Sequence, residues 1–132
     1  MEASIFTKII NGEIPAYKVA EDDRFLAFLD VFPTAKGHTL VIPKQQTDYI
    51  FDLDEDMYLG LMAFAKKVAA AVEQAVPCKR IGVAVVGLEV PHAHVHLIPL
   101  NSMQDMNFAN KKKFSKEEFE ETAKNIQAAY QE

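Results

Sequence analysis

The chain has no tryptophan, a single cysteine and only five glycines in 132 residues. One thiol, Cys78, cannot close an internal disulfide, so the fold does not look built for an oxidising compartment and the cytoplasm is the expected location. With no histidine or second thiol near it in sequence, Cys78 reads as inert. Long apolar runs are missing too. The opening stretch MEASIFTKIINGEIP carries an acidic residue at position 2 and reads as neither a secretion signal nor a membrane span, so no membrane partner is expected. Positive charge is scarce: 14 Lys and Arg against 19 Asp and Glu leave a net charge of −5. That balance argues against a broad basic surface able to neutralise many phosphates, and nucleic acid is not an expected partner. The one basic run, Lys111-Lys112-Lys113, reads as a solvated loop ahead of a helix.

What is present is an average globular composition, 49% apolar and 25% charged, which excludes disordered, coiled-coil and collagen-like classes. A chain of this length is expected to form one domain, 1–132, and shows no internal repeat. Ser4 can cap a short helix whose residues Ile5, Phe6, Ile9 and Ile10 keep helical spacing up to the Asn11-Gly12 stop. Strands are expected over Ala16 to Glu21 and Arg24 to Leu29 around an Asp22-Asp23 turn, and over His38 to Ile42 between Gly37 and Pro43. Asp54 is the expected N-cap of a long helix with an apolar stripe of Met57, Leu61, Phe64, Val68, Val72 and Val76, ended by Pro77. Ile81 to Val86 is a β-rich run, followed by a turn around Gly87 and a further strand. Ser115 to Glu118 forms a capping box for a last helix with Phe119, Ala123, Ile126 and Tyr130 on its inner face. Short links between these elements favour antiparallel neighbours, which makes the fold class α+β.

The last strand holds the unusual feature. Three of the chain's four histidines, His92, His94 and His96, stand at alternate positions of HAHVHLIP. On a strand they share one face, while Ala93, Val95 and Leu97 turn to the core. Two chemistries use such a row. Neutral imidazoles can converge on a metal ion, with His38 as a further ligand and Glu89 as the nearest orienting carboxylate. Alternatively, one imidazole attacks phosphorus, forms a phosphoramidate and is released by water, while its neighbours bind the phosphoryl oxygens. Spacing alone leaves both open.

The pattern His92-Ala93-His94-Val95-His96-Leu97-Ile98 resembles the signature of the histidine triad (HIT) family of nucleotide hydrolases and transferases, and is similar to the histidine triad nucleotide-binding proteins of bacteria. The likeness extends through SIFTKIINGEIPA, FLAFLDVFPTAKGHTLVIPK and the turn from Gly87 to Val90. It implies a HIT-like fold with a five-stranded antiparallel half-sheet, a long helix, a short N-terminal helix and a C-terminal helix, paired in a homodimer. It also implies a purine nucleotide as substrate, no cofactor and no metal. By the family's pattern His94 would be the nucleophile at the α-phosphorus, His96 would hold phosphate oxygens, and His92 and His38 would support them. Asp30 would accept hydrogen bonds from the ribose, a role suited to a carboxylate. Ile5, Phe6, Phe28, Val31 and Leu40 would wall the base, and Gly87, Glu89 and Val90 would flank the phosphates.

Departures from that pattern sharpen the expectation. The third histidine, His96, stands where transferase-like members carry glutamine, which favours a hydrolase. Ser4 and Thr7 replace the Cys-x-x-Cys that some members use for a structural zinc. Glu89 replaces a hydroxyl residue, and its charge should repel a polyphosphate and favour an amine, so nucleoside phosphoramidates are expected over dinucleoside polyphosphates. A metal enzyme built on the same histidines and a nucleotide-binding regulatory module remain the alternatives.

Overall fold

Ser4 and Asp54 act where the sequence places them, at the starts of two helices. The Ser4 hydroxyl accepts from the amide of Thr7 at the start of α1 (Ile5–Ile10), and the Asp54 carboxylate accepts from the amide of Met57 at the start of α2 (Glu55–Ala75). In the computed structural model, which describes residues 2–131, five strands run between and after them. These are β1 (Lys18–Glu21), β2 (Phe25–Leu29), β3 (Thr39–Pro43), β4 (Arg80–Ala84) and β5 (Val95–Leu100), and α3 (Lys116–Ala129) follows behind the Ser115–Glu118 capping box. Two single turns of 3₁₀ helix, Ile50–Asp52 and Met103–Met106, have no counterpart in the sequence-based expectation.

All pairings are antiparallel, in the order β1-β2-β3-β5-β4. The fold is therefore α+β, with the five-stranded antiparallel sheet and three helices of the expected HIT-like architecture. Strand alternation divides the apolar residues between two layers. Phe25, Ala27, Leu29 and Val41 pack beneath α2 and α3, whereas Leu26, Phe28, Leu40 and Ile42 meet Phe6 and Ile9 of α1 on the other face. Covered on both sides, β2 and β3 are buried throughout, which is why their sequences are almost entirely apolar.

Strand limits differ from expectation by one to three residues, and the largest difference concerns the histidines. β5 begins at Val95, so His92 and His94 precede the ladder. Pro91 offers no amide, and the next two amides are committed elsewhere, His92 to the Val90 carbonyl and Ala93 to that of Thr47. The alternation survives without the ladder: Ala93, Val95 and Leu97 all lie in the core under α2. His38 likewise stands just ahead of β3. The preceding Gly37 has φ of +88°, and a Cβ there would meet Val76 Cγ2 at 2.8 Å. Glycine thus lets the loop cross close to the end of α2 and delivers His38 to the sheet.

Candidate active site

Three of the four imidazoles, those of His92, His94 and His38, are held by a backbone group whose hydrogen-bonding role is fixed, and the fourth, His96, is held by His38; this determines where the protons sit. His92, fully buried, lies 2.7 Å through Nε2 from the carbonyl of Pro43. A carbonyl only accepts, so Nε2 carries the proton and Nδ1 accepts from the Ser4 hydroxyl at 2.8 Å. Thr7 and Gln46 complete this cluster: the Thr7 hydroxyl and the Ser4 amide both donate to Gln46 Oε1. His92 is therefore anchored to α1 and to the end of β3, and burial, the largest influence on it, lowers its pKa.

His94 makes one such bond. Its Nδ1 lies 2.8 Å from the carbonyl of His92, so the neutral ring has its proton on Nδ1 and its lone pair on Nε2. Phe6 packs edge-on against this ring, with centroids 5.0 Å apart, and fixes its tilt.

His38 and His96 form a relay. The amide of Thr34 can only donate, and it reaches His38 Nδ1 at 3.1 Å. The proton of neutral His38 is therefore on Nε2, where it is donated to His96 Nδ1 at 2.9 Å. His96 must then carry its own proton on Nε2, the opposite edge of the ring. Burial keeps both rings neutral, lowering the pKa of His38 from 6.5 to about 4 and that of His96 to about 3. Asp30 Oδ2, 3.5 Å from His38 Nε2, pulls the other way without prevailing.

A cleft of about 590 Å³ opens beside these rings. His94 and His96 line it, whereas His92 and His38 do not, so the row divides into two exposed edges and two supports behind them. Ile5, Phe6, Phe28, Asp30, Val31, Leu40, Gly87, Glu89 and Val90 line the same cleft. Every residue expected to meet a nucleotide is thus brought to one place. Asp30 Oδ1 accepts from the Phe32 amide, which fixes the carboxylate at the rim.

Sequence reasoning missed several lining residues, among them Ile14, Phe108 and Lys111. Lys111 corrects the expectation of a merely solvated basic run: it is exposed, but it lies on the wall of the cleft. The segment carrying it is tied back by bonds from the Lys112 amide to the Pro33 carbonyl and from the Thr34 hydroxyl to the Asp105 carbonyl. No local pattern encodes those contacts.

Asp30, His38 and His96 place potential ligand atoms within 4.8 Å of one another. The relay proton, however, occupies the space between His38 and His96. Moving the His38 proton from Nε2 to Nδ1, to free Nε2 for an ion, would set an N–H at Nδ1 against the Thr34 N–H. Of the ring nitrogens in the four histidines, only Nε2 of His94 offers the cleft a lone pair.

A model of the HIT domain matches residues 11–103, and the chain belongs to that family. An uncharacterized HIT-like protein of Borreliella burgdorferi is 37% identical over 131 residues, 92% of this chain and 94% of that protein. An adenosine 5′-monophosphoramidase of Saccharomyces cerevisiae is 39% identical over 98 residues, 74% of this chain and 62% of that protein. Among solved structures, a HIT-like protein involved in cell-cycle regulation from Bartonella henselae matches with a TM-score of 0.85 at 37% identity, over 96% of this chain and 95% of that one.

Neutral burial of His38 and His96 has a consequence for stability. In the unfolded chain both titrate near 6.5, while in the fold they resist protonation until about pH 4 and about pH 3. Below pH 6.5 the unfolded state therefore binds more protons, and stability falls as the pH falls. The urea midpoint should decline from pH 7 to pH 4, and less steeply in His96→Asn. A flat wild-type profile across that interval would contradict the neutral burial of the two rings.

Proposed function

We propose that the protein is a nucleotide hydrolase that cleaves at the α-phosphorus through a nucleotidyl-His94 intermediate and releases a nucleoside monophosphate. The observation that carries this reading is the bond from His94 Nδ1 to the His92 carbonyl, which leaves Nε2 as a nucleophile beside the cleft. The Nε2 lone pair attacks phosphorus, and the bond to the leaving group breaks with its electron pair. A departing amine takes a proton from water. A second water then attacks the phosphorus of the adduct, loses its proton and frees His94. The Nε2–H of His96 binds a phosphoryl oxygen as charge builds there.

The rest of the cleft fits a mononucleotide, whose size matches an ordinary ligand pocket of roughly 300–1,000 Å³. Ile5, Phe6, Phe28, Val31 and Leu40 wall a purine base, Asp30 accepts from the ribose hydroxyls, and Gly87, Glu89 and Val90 border the phosphates. The yeast phosphoramidase among the relatives supports a P–N bond as the target. Incubation with a slowly hydrolysed adenosine phosphoramidate should add one nucleotidyl mass to the intact protein, in metal-free buffer as well as with metal present. His94→Ala should remove the adduct and lower kcat by at least about a thousandfold. An adduct at another residue, or activity lost to a chelator, would overturn this mechanism.

Glu89 is exposed at the cleft wall, on the connection between β4 and β5. Its charge favours an amine over a polyphosphate leaving group. Catalytic efficiency should be greater on adenosine phosphoramidate than on diadenosine tetraphosphate, and Glu89→Gln should narrow the gap; a wild-type preference for the tetraphosphate defeats the assignment.

A homodimer through β4 completes the proposal. That strand ends the sheet order, and Val83 on it is 53% exposed. An apolar unpaired edge calls for a cover. Equilibrium sedimentation should give about twice the 14.8 kDa chain mass, reverting to one chain mass in Val83→Lys; a wild-type monomer at micromolar concentration rejects the dimer.

A further inference from the structure

The cleft is poorly supplied with positive charge for a site that would bind phosphate. Its two lining imidazoles include His96, held neutral by burial, and His38 behind it is neutral as well. Asp30 and Glu89 contribute negative charge. Among the described lining residues, Lys111 is the one lysine or arginine.

Its position is built. Phe108 packs edge-on over His96, with centroids 4.8 Å apart, and reaches His38 at 6.3 Å. Lys111 Nζ lies 5.6 Å from the centroid of the same Phe108 ring, within the range of a cation–π contact. The turn that presents both residues is closed by bonds from the Ala109 amide to Asn107 Oδ1 and from the Asn110 amide to the Asn107 carbonyl. The Lys112 amide then fastens the chain to Pro33, beside the loop that leads to His38. The ammonium is thereby stationed on the His96 side of the cleft. Both residues lie beyond residue 103, where the match to the family domain ends.

We propose that Lys111, seated on Phe108, is a specificity-determining residue that binds an anionic group, phosphate or carboxylate, carried by the substrate beyond the α-phosphorus. This rests on the nucleotide-hydrolase reading and adds to it a charge preference for the leaving group. Glu89 reaches the cleft from a different connection. Its influence is common to proteins that differ only at Lys111, and it cancels in their comparison.

The test has two arms. In the first, calorimetric affinities for AMP and ADP are measured with wild type, Lys111→Gln and Lys111→Arg; ADP extends a phosphate past the α-phosphorus and AMP does not. In the second, kcat/KM is compared for adenosine phosphoramidates of phenylalanine and phenethylamine, which differ by one carboxylate. Lys111→Gln should weaken ADP about three- to fivefold more than AMP, or lower efficiency on the phenylalanine substrate by a similar excess, while Lys111→Arg keeps most of the contrast. The arm that responds identifies the anion. The contrast should shrink as salt is raised, since the charge is exposed. Equal losses within both pairs of ligands would overturn the proposal. The first arm needs no turnover, so an ADP contrast without a His94 adduct would defeat the hydrolase reading alone, and an adduct without either contrast would defeat this one.

Discussion

The bond from His94 Nδ1 to the carbonyl of His92 sets the chemistry of the whole cleft. An imidazole left to itself exchanges its proton between two nitrogens and takes a second near neutral pH. Here the carbonyl, two residues back in the same chain, makes one tautomer the bonded one. That carbonyl is aimed by the position of its own residue, and His92 is tied at both ring nitrogens, to Pro43 and to Ser4. Ser4 serves two structures with one hydroxyl: its lone pair caps α1, and its proton goes to His92. The start of a six-residue helix and the orientation of the His94 ring are thus mechanically one feature.

Burial supplies what the hydrogen bonds alone would not. A charged imidazolium is disfavoured where water is excluded, so His38 and His96 stay neutral, and a neutral ring has one donor and one acceptor. Direction can then be transmitted. The Thr34 amide dictates the state of His38, His38 dictates that of His96, and a donor emerges at the cleft two rings away from the backbone group that determined it. Were these rings cationic, every nitrogen would donate and the relay would carry no direction. Gly37 matters for the same reason, since a residue that could not pass so close to Val76 would displace the first imidazole of the relay.

Much of this was legible in the sequence where the signal was local. The α2 stripe, the Ser4, Asp54 and Ser115 caps and the alternation of histidine with Ala93, Val95 and Leu97 each depend on neighbours within a few residues, and each appears in the fold. The start of β5 was misplaced because alternation persists in an extended segment whether or not its amides enter a ladder, and those of His92 and Ala93 go to Val90 and Thr47. The division of the histidines into two that face the cleft and two behind them was expected from the family resemblance rather than from spacing, which is the same for all three of the row. Phe108 and Lys111 carried no signal. Their placement rests on contacts with Pro33 and Thr34, more than seventy residues away in sequence, and a short polar stretch before a helix looks the same whether it is folded over a site or not.

Neutral rings direct protons well but attract anions poorly, and this divides the labour within the cleft. In the proposed reaction, orientation of a phosphoryl group falls to N–H and lone pair, both fixed by the fold within the family-matched span. Net attraction and choice among leaving groups must come from formal charges at the rim, which here means Asp30, Glu89 and Lys111. Of these, Glu89 and Lys111 act through exposed side chains and can change without disturbing a buried hydrogen bond. On the proposed reading, a substitution at Glu89 or Lys111 therefore alters which substrate is favoured while leaving the tautomers in place, whereas a change at Ser4, Thr34 or Gly37 alters the tautomers or ring positions for every substrate alike. Selectivity can drift within such a design while the reacting atoms remain where they are.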